Sequence, residues 1–353
     1  MYEKSLTLLY TICWGFLIII ATAIFLWSSG VTVLAASTFR VDNTTYLFNA
    51  VDGAVVGSIQ PQTVTILESN GQWHLIQTWL GDMWIHEDYH EYIRQRNAAM
   101  LANHRTEMLA EIDQFMRPFY NQVSVHYENF ESGFSFSNRG DYVYFAASAA
   151  KLAFALYIYD KTERGDASMG STIRYTEADH WEGSGIIRHR YNFGQEFDQR
   201  ELLHLMLVPS DNIATRLLRR MHGLNGYRDF IASIGGNTAL IHNVTYGELT
   251  ANEAGLILRN VHNYFNSGGT YSDEFRNNML SNQYKFITSS HPVASKTGWA
   301  ANFGQAYHDL ALIQAPSPFG LAILSHFTGD PPDRRTFEEI ASFFEEFNRR
   351  WFE

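Results

Sequence analysis

A single lysine sets the terms on which this chain can fold. Lys151 is the only charge within residues 142–159, a run of tyrosine, alanine, phenylalanine and leucine that is apolar around nearly its whole circumference. Such a run reads as a helix inside a core, not one on a surface. A lysine there must be paired or neutralised, because an isolated ammonium is costly in an apolar interior. Ser148 lies one helical turn earlier, on the same face. A hydroxyl beside a desolvated amine is one way to make an activated serine nucleophile. The competing explanation is a lysine whose stem passes the alanines and carries its charge to water. Ser-x-x-Lys arises from average composition roughly once per few hundred residues, so the spacing alone does not decide.

Two tripeptides do. Ser210-Asp211-Asn212 follows the apolar stretch 202–208 and Pro209, and Lys296-Thr297-Gly298 follows Pro292-Val293-Ala294-Ser295. Each is expected by chance at about one in several thousand positions, so finding both in this order after a Ser-x-x-Lys is specific. The trio is the signature of class A β-lactamases and penicillin-binding proteins. From about residue 104 onward the chain resembles the class A β-lactamase and penicillin-recognising serine hydrolase superfamily. Three other stretches carry the likeness: 123–129 with Gly133, resembling its first strand and turn; Glu182-Gly183-Ser184-Gly185-Ile186, ahead of its central helices; and 250–255, at a helix start between the second and third motifs.

The resemblance implies a set of roles. Ser148 would attack a carbonyl and form an acyl-enzyme, with Lys151 as general base. Ser210 would pass the proton to the leaving nitrogen, Asn212 would hold Lys151 and the substrate amide, and Asp211 would be structural. Lys296 and Thr297 would bind a substrate carboxylate, with Lys296 as a second cation lowering the pKa of Lys151. Gly298 would let the strand approach the substrate. The backbone N–H groups of Ser148 and Trp299 would form an oxyanion hole, and the Trp299 ring would narrow the cleft. Fast hydrolysis of a β-lactam also needs a deacylating glutamate with an asparagine four residues on. Glu248 and Asn252 have that spacing, but Thr250 and Glu253 also fit a helix N-cap and its capping partner, which leaves Glu248 just outside the helix. The substrate implied is a β-lactam or a D-Ala-D-Ala-type peptidoglycan peptide, without cofactor or metal.

The rest of the chain gives context. A net charge of -11 argues against a nucleic-acid partner. The single cysteine, Cys13, precludes an intramolecular disulfide. Residues 5–27 are long and apolar enough to span a bilayer and read as a signal anchor, with the remainder outside the cell membrane. Cleavage near Ala35 and secretion are the alternative. Residues 39–90 hold short strands punctuated by Gly, Asn and Pro, a small all-β barrel that resembles bacterial SH3-like domains of cell-wall proteins. Residues 91–103 read as a helical linker. Residues 104–353 read as an α/β sandwich, an antiparallel sheet flanked by terminal helices with an all-helical subdomain inserted.

Two further features compete for function. His86-Glu87-Asp88-Tyr89-His90 matches the zinc-protease pattern His-Glu-x-x-His, which requires both histidines on one helix and a third ligand. A non-catalytic cell-wall-binding role for the SH3-like segment is the other alternative. His308, within an alternating strand, and His180, beside the glycine loop, read as structural histidines.

Overall fold

The structure is a computed structural model that describes residues 37–42, 44–237, 247–300, 305–327 and 334–353. The apolar segment 5–27 lies outside the described residues. Among the described residues, no helix is long and apolar enough to cross a membrane. The chain divides into two compact units, Met1–Tyr89 and His90–Glu353.

The first unit is a six-stranded antiparallel sheet in the order β1-β4-β5-β6-β2-β3. Its strands are β1 (Thr38–Val41), β2 (Thr45–Phe48), β3 (Val55–Ile59), β4 (Gln62–Asn70), β5 (Trp73–Thr78) and β6 (Gly81–His86). Strand β1 is one the sequence pattern does not announce; it pairs with the N-terminal half of β4. Val41, Leu47, Ile59, Ile76 and Ile85 form the core, and Phe48 packs edge-on to Trp73.

The zinc-protease pattern is not realised. His86 ends strand β6, and the helix begins only at Tyr89, so His86 and His90 do not share a helical face. The His86 ring instead closes a turn, with Nδ1 bonded to the backbone of Asp88. No cluster of three or more potential metal ligands exists among the described residues.

Helix α1 (Tyr89–Met116) runs without a break through residues 91–103, so that stretch is part of a 28-residue helix rather than a separate linker. It ends in a 3-10 turn at Arg117–Phe119, where Pro118 cannot continue the α-helical ladder. Strands β7 (Val123–Asn129), β8 (Ser135–Asn138) and β9 (Tyr144–Phe145) follow, then α2 (Ala150–Glu163). The short pair β10 (Thr172–Arg174) and β11 (Glu196–Asp198) encloses α3 (Ile187–Arg190). The helical middle comprises α4 (Gln199–Leu207), α5 (Asn212–His222), α6 (Asn225–Ser233), α7 (Ala251–Phe265) and α8 (Ser272–Leu280), with β12 (Glu248–Leu249) before α7. The chain closes with β13 (Val293–Ala300), β14 (Ala306–Ile313), β15 (Phe319–Ser325) and α9 (Arg335–Phe352).

The second unit is built on a five-stranded antiparallel sheet, β13-β14-β15-β7-β8. Both faces are covered, which is why every residue of β14 and β15 is buried rather than every second one. Leu310, Leu312, Ala322 and Leu324 pack toward α2, α4, α5 and α7. Tyr307, Ala311, Leu321 and Ile323 pack toward α1 and α9. This is the expected α/β sandwich, an antiparallel sheet with the terminal helices on one face and the helical middle on the other.

One polar knot ties the terminal helix down. Asn348, fully buried on α9, accepts from the Tyr127 hydroxyl at 2.7 Å and from Asn129 Nδ2 at 3.0 Å, and donates to the Ser317 carbonyl at 2.8 Å. Truncating it orphans several buried polar groups at once. Asn348→Ala is expected to lower unfolding stability by roughly 2–4 kcal/mol, read from the denaturant midpoint.

Candidate active site

The run 142–159 is not one helix. Its first part is strand β9, whose Phe145 and Tyr144 pair with Glu248 and Leu249 of β12. Ala146 N then donates to the Gly247 carbonyl, and Ala147 takes φ 46°, a left-handed conformation that no α-helix accepts. Ser148 sits in the resulting 3-10 turn, Ala147–Ala149, directly before α2. The helix therefore points its positive end at the serine.

Strand β13 crosses this turn. A Cβ on Gly298 would lie 2.6 Å from the Ala146 carbonyl oxygen and 2.9 Å from Ala149 N, so only glycine allows the approach. The next residue, Trp299, is 40 % exposed. Its ring stacks on Tyr307 at 6.1 Å between centroids. Thr297 is buried, with its hydroxyl donating to the Tyr284 carbonyl at 2.8 Å.

Lys151 is fully buried, and its ammonium is met by three acceptors. These are the Ser210 carbonyl at 2.6 Å, Asn212 Oδ1 at 2.8 Å and Ser210 Oγ at 3.3 Å. Lys296, equally buried, reaches the same Ser210 hydroxyl at 3.0 Å from β13. Burial pushes the Lys151 pKa well below its ordinary value; the Lys296 cation adds to this and Asp211 opposes it. Burial likewise lowers Lys296 to about 7, against the pull of Asp309. The Lys151 shift favours a neutral amine beside Ser210.

The loop carrying Ser210 is held from behind by Asp211. Its carboxylate accepts four backbone N–H groups: Ile213 and Ala214, as the N-cap of α5, and Ile186 and Ile187 of the glycine loop. Ser210 takes φ 58°, a strained conformation for a serine. Gly185, at φ 122°, lies so close that a Cβ would fall 2.2 Å from Asp211 Oδ2. Asn212 is fixed at both ends of its amide, since Nδ2 donates to the Glu182 carbonyl at 3.0 Å. The segment 182–186 is thus the brace of the Ser210–Asn212 turn.

The geometry can be set beside known proteins at this point. A family model described as the β-lactamase enzyme family matches residues 107–344. The chain belongs to that family. Among solved structures, a β-lactamase from Sphaerobacter thermophilus is 20% identical, with a TM-score of 0.55, over 68% of this chain and 97% of its own. A β-lactamase from Chitinophaga pinensis is 17% identical with a TM-score of 0.59, over 68% and 98%. PBP-A is 16% identical with a TM-score of 0.57, over 66% and 95%. No curated protein matches the chain.

In this β-lactamase-family domain the structure gathers Lys151, Ser210, Asn212 and Lys296 into one hydrogen-bonded group, with Ser148 on the turn that Gly298 contacts. Glu248 is not among the hydrogen-bonded members of that group. It is an exposed residue of the two-residue strand β12, and Thr250 caps α7 by accepting from Glu253 N. Asn252 is committed elsewhere, its amide bonded to Asp141 Oδ1 at 2.8 Å and to Ser137 Oγ at 2.7 Å. The asparagine that the resemblance would pair with Glu248 therefore serves the β8–β9 connection. His180 bonds Tyr175 through Nδ1 at 3.1 Å. The polar pair His308-Asp309 inside the apolar strand β14 is a further part of the surroundings; buried Asp309 accepts from Phe286 N and Ile287 N. An acid within an otherwise apolar strand was the signal for it.

Because all four bonds to Asp211 run to one carboxylate, the isosteric Asp211→Asn turns two of them into donor-against-donor contacts. The variant is expected to lose on the order of 3 kcal/mol of stability, visible as a lowered denaturation midpoint.

Proposed function

We propose that the second unit is a serine acylating enzyme acting on a β-lactam or a D-Ala-D-Ala-type cell-wall peptide. The observation that carries this reading is the buried pair of amines sharing the Ser210 hydroxyl, one of them also bonded to Asn212. Lys151 in its neutral form takes the proton of Ser148 as the serine oxygen bonds to the substrate carbonyl carbon. The backbone N–H groups of Ser148 and Trp299 stabilise the oxyanion. The C–N bond then breaks as Ser210 delivers its proton to the leaving nitrogen and receives in its place the proton that Lys151 took from Ser148. Lys296 receives the substrate carboxylate, and Thr297 joins it by turning its hydroxyl away from the Tyr284 carbonyl. A structure of a substituted form of PBP-A is an acyl-enzyme complex with penicillin G, which supports the same chemistry as the reading for this chain.

Release of the acyl group is proposed to be slow. The exposed position of Glu248 and the commitment of Asn252 to Asp141 and Ser137 support trapping over rapid turnover. The wider setting belongs to the same proposal: an SH3-like first unit that contacts cell wall, and an N-terminal anchor that keeps both units at the outer face of the membrane.

Fluorescent penicillin is expected to label the wild type covalently and to leave Ser148→Ala unlabelled, with mass spectrometry finding a persistent adduct. No labelling of the wild type would favour a non-catalytic wall-binding protein, and rapid release of hydrolysed drug would favour a true β-lactamase. The base assignment has its own test. A base acts when deprotonated, so the acylation rate rises with pH through the pKa of Lys151. The Lys296 cation lowers that pKa. Lys296→Met is therefore expected to move the acid limb of the acylation profile to higher pH, whereas an unmoved limb would remove Lys151 as the base.

A further inference from the structure

We propose that His308 is a positioning residue for the nucleophile, holding by a ring hydrogen bond the strand that delivers Ser148. This rests on the reading of Ser148 as the acylated residue. His308 is fully buried on β14, and its Nε2 lies 2.9 Å from the carbonyl oxygen of Phe145, three residues before Ser148. Its Nδ1 receives the backbone N–H of Ser325 at 3.3 Å. A carbonyl can only accept and an amide N–H can only donate, so the two partners fix one tautomer: neutral, with the proton on Nε2. Burial lowers the histidine to about 4, so that form persists across the physiological range. The ring also meets Tyr144 edge-on at 5.4 Å. Both residues of β9 are therefore gripped by this one side chain.

The cross-strand register explains why this matters for the nucleophile. His308 faces Gly298 across β13–β14. Gly298 lies against the Ala146 carbonyl and Ala149 N, while His308 takes the Phe145 carbonyl. Two neighbouring positions of the sheet thus dock consecutive carbonyls of the segment that enters the strained Ala147 turn. The glycine sets how closely the turn can approach, and the histidine pulls it there. Without the donor, the Phe145 carbonyl loses its bond to the sheet, and the turn has one attachment fewer to hold Ser148 against the helix end.

The test compares His308→Leu, which removes the donor, with His308→Gln, which retains one at the same reach. Both are made in the full chain and followed by stopped-flow acylation with fluorescent penicillin. His308→Leu is expected to lower the limiting acylation rate about 10- to 100-fold, as for a misplaced reacting group, with the half-saturating concentration little changed. His308→Gln should recover most of the loss, which a volume effect alone would not produce. A Leu variant with the wild-type limiting rate, or a Gln variant as slow as Leu, overturns the proposal. Should the Leu variant fail to fold, long-range proton–nitrogen spectra of the wild type at pH 7 still decide. The Nε2–H tautomer supports the proposal and the Nδ1–H tautomer overturns it. A wild type that penicillin does not label overturns the nucleophile itself, an outcome separate from any difference among the variants.

Discussion

Two buried amines converge on one serine hydroxyl, and much of the second unit is arranged to make that tolerable. An ammonium taken out of water must be neutralised or surrounded by acceptors. Lys151 has three acceptors within 3.3 Å, two of them supplied by a single residue, Ser210. Ser210 presents both its carbonyl and its hydroxyl to the lysine only because its backbone adopts a left-handed conformation. That strain persists because Asp211 binds four amide groups from two segments and leaves the turn nowhere to relax. The charge problem posed by Lys151 is thus handed from side chain to backbone and then to a second buried charge.

The same logic governs the proposed nucleophile. Ser148 is not simply one turn ahead of Lys151 on a regular helix. It stands where a strand becomes a helix, after a residue with φ 46°. A sharp strand-to-helix turn exposes the hydroxyl and aims the helix end at it, but it needs support from outside the turn. That support comes from β13 and β14, where the Gly298 backbone and the His308 ring meet the main chain before Ser148. The sheet can serve because it is rigid, buried on both faces and pinned by Asn348 from the terminal helix.

These arrangements separate what the sequence made legible from what it did not. Motifs whose chemistry is costly stood out: a lysine among alanines, two improbable tripeptides, and the capping pair Thr250 and Glu253, which the structure reproduces at the start of α7. The terminal helices and the three closing strands were equally readable, because their apolar patterns are long. The helix after Ser148 is shorter than the apolar run suggests. Apolar composition cannot distinguish a buried strand and turn from a buried helix, and the deciding feature was a backbone conformation at Ala147 that alanine does not advertise. Strand β1 escaped because its partner is β4, and pairing is a long-range property. The pattern His86–His90 shows the opposite hazard, since a spacing defined for helices falls across the end of a strand.

Acylation and release place opposite demands on such a site. On the proposed mechanism, proton transfer from Ser148 is favoured by the burial that lowers the pKa of Lys151. Release of the acyl group requires water held at the same carbon beside a base. Among the described residues, the pair that the resemblance nominates for this is divided by structure: Glu248 is exposed on β12, and Asn252 spends both ends of its amide on Ser137 and Asp141. A Cβ on Gly140 would lie 2.4 Å from Asn252 Oδ1, so the asparagine is also sterically locked against that turn. Freeing it would cost the contact between the α7 start and the β8–β9 connection. Fast release through this pair would therefore require rebuilding a structural joint, whereas fast acylation uses groups already in place. On the reading proposed here, that asymmetry favours an enzyme that takes up an acyl group more readily than it returns it to water.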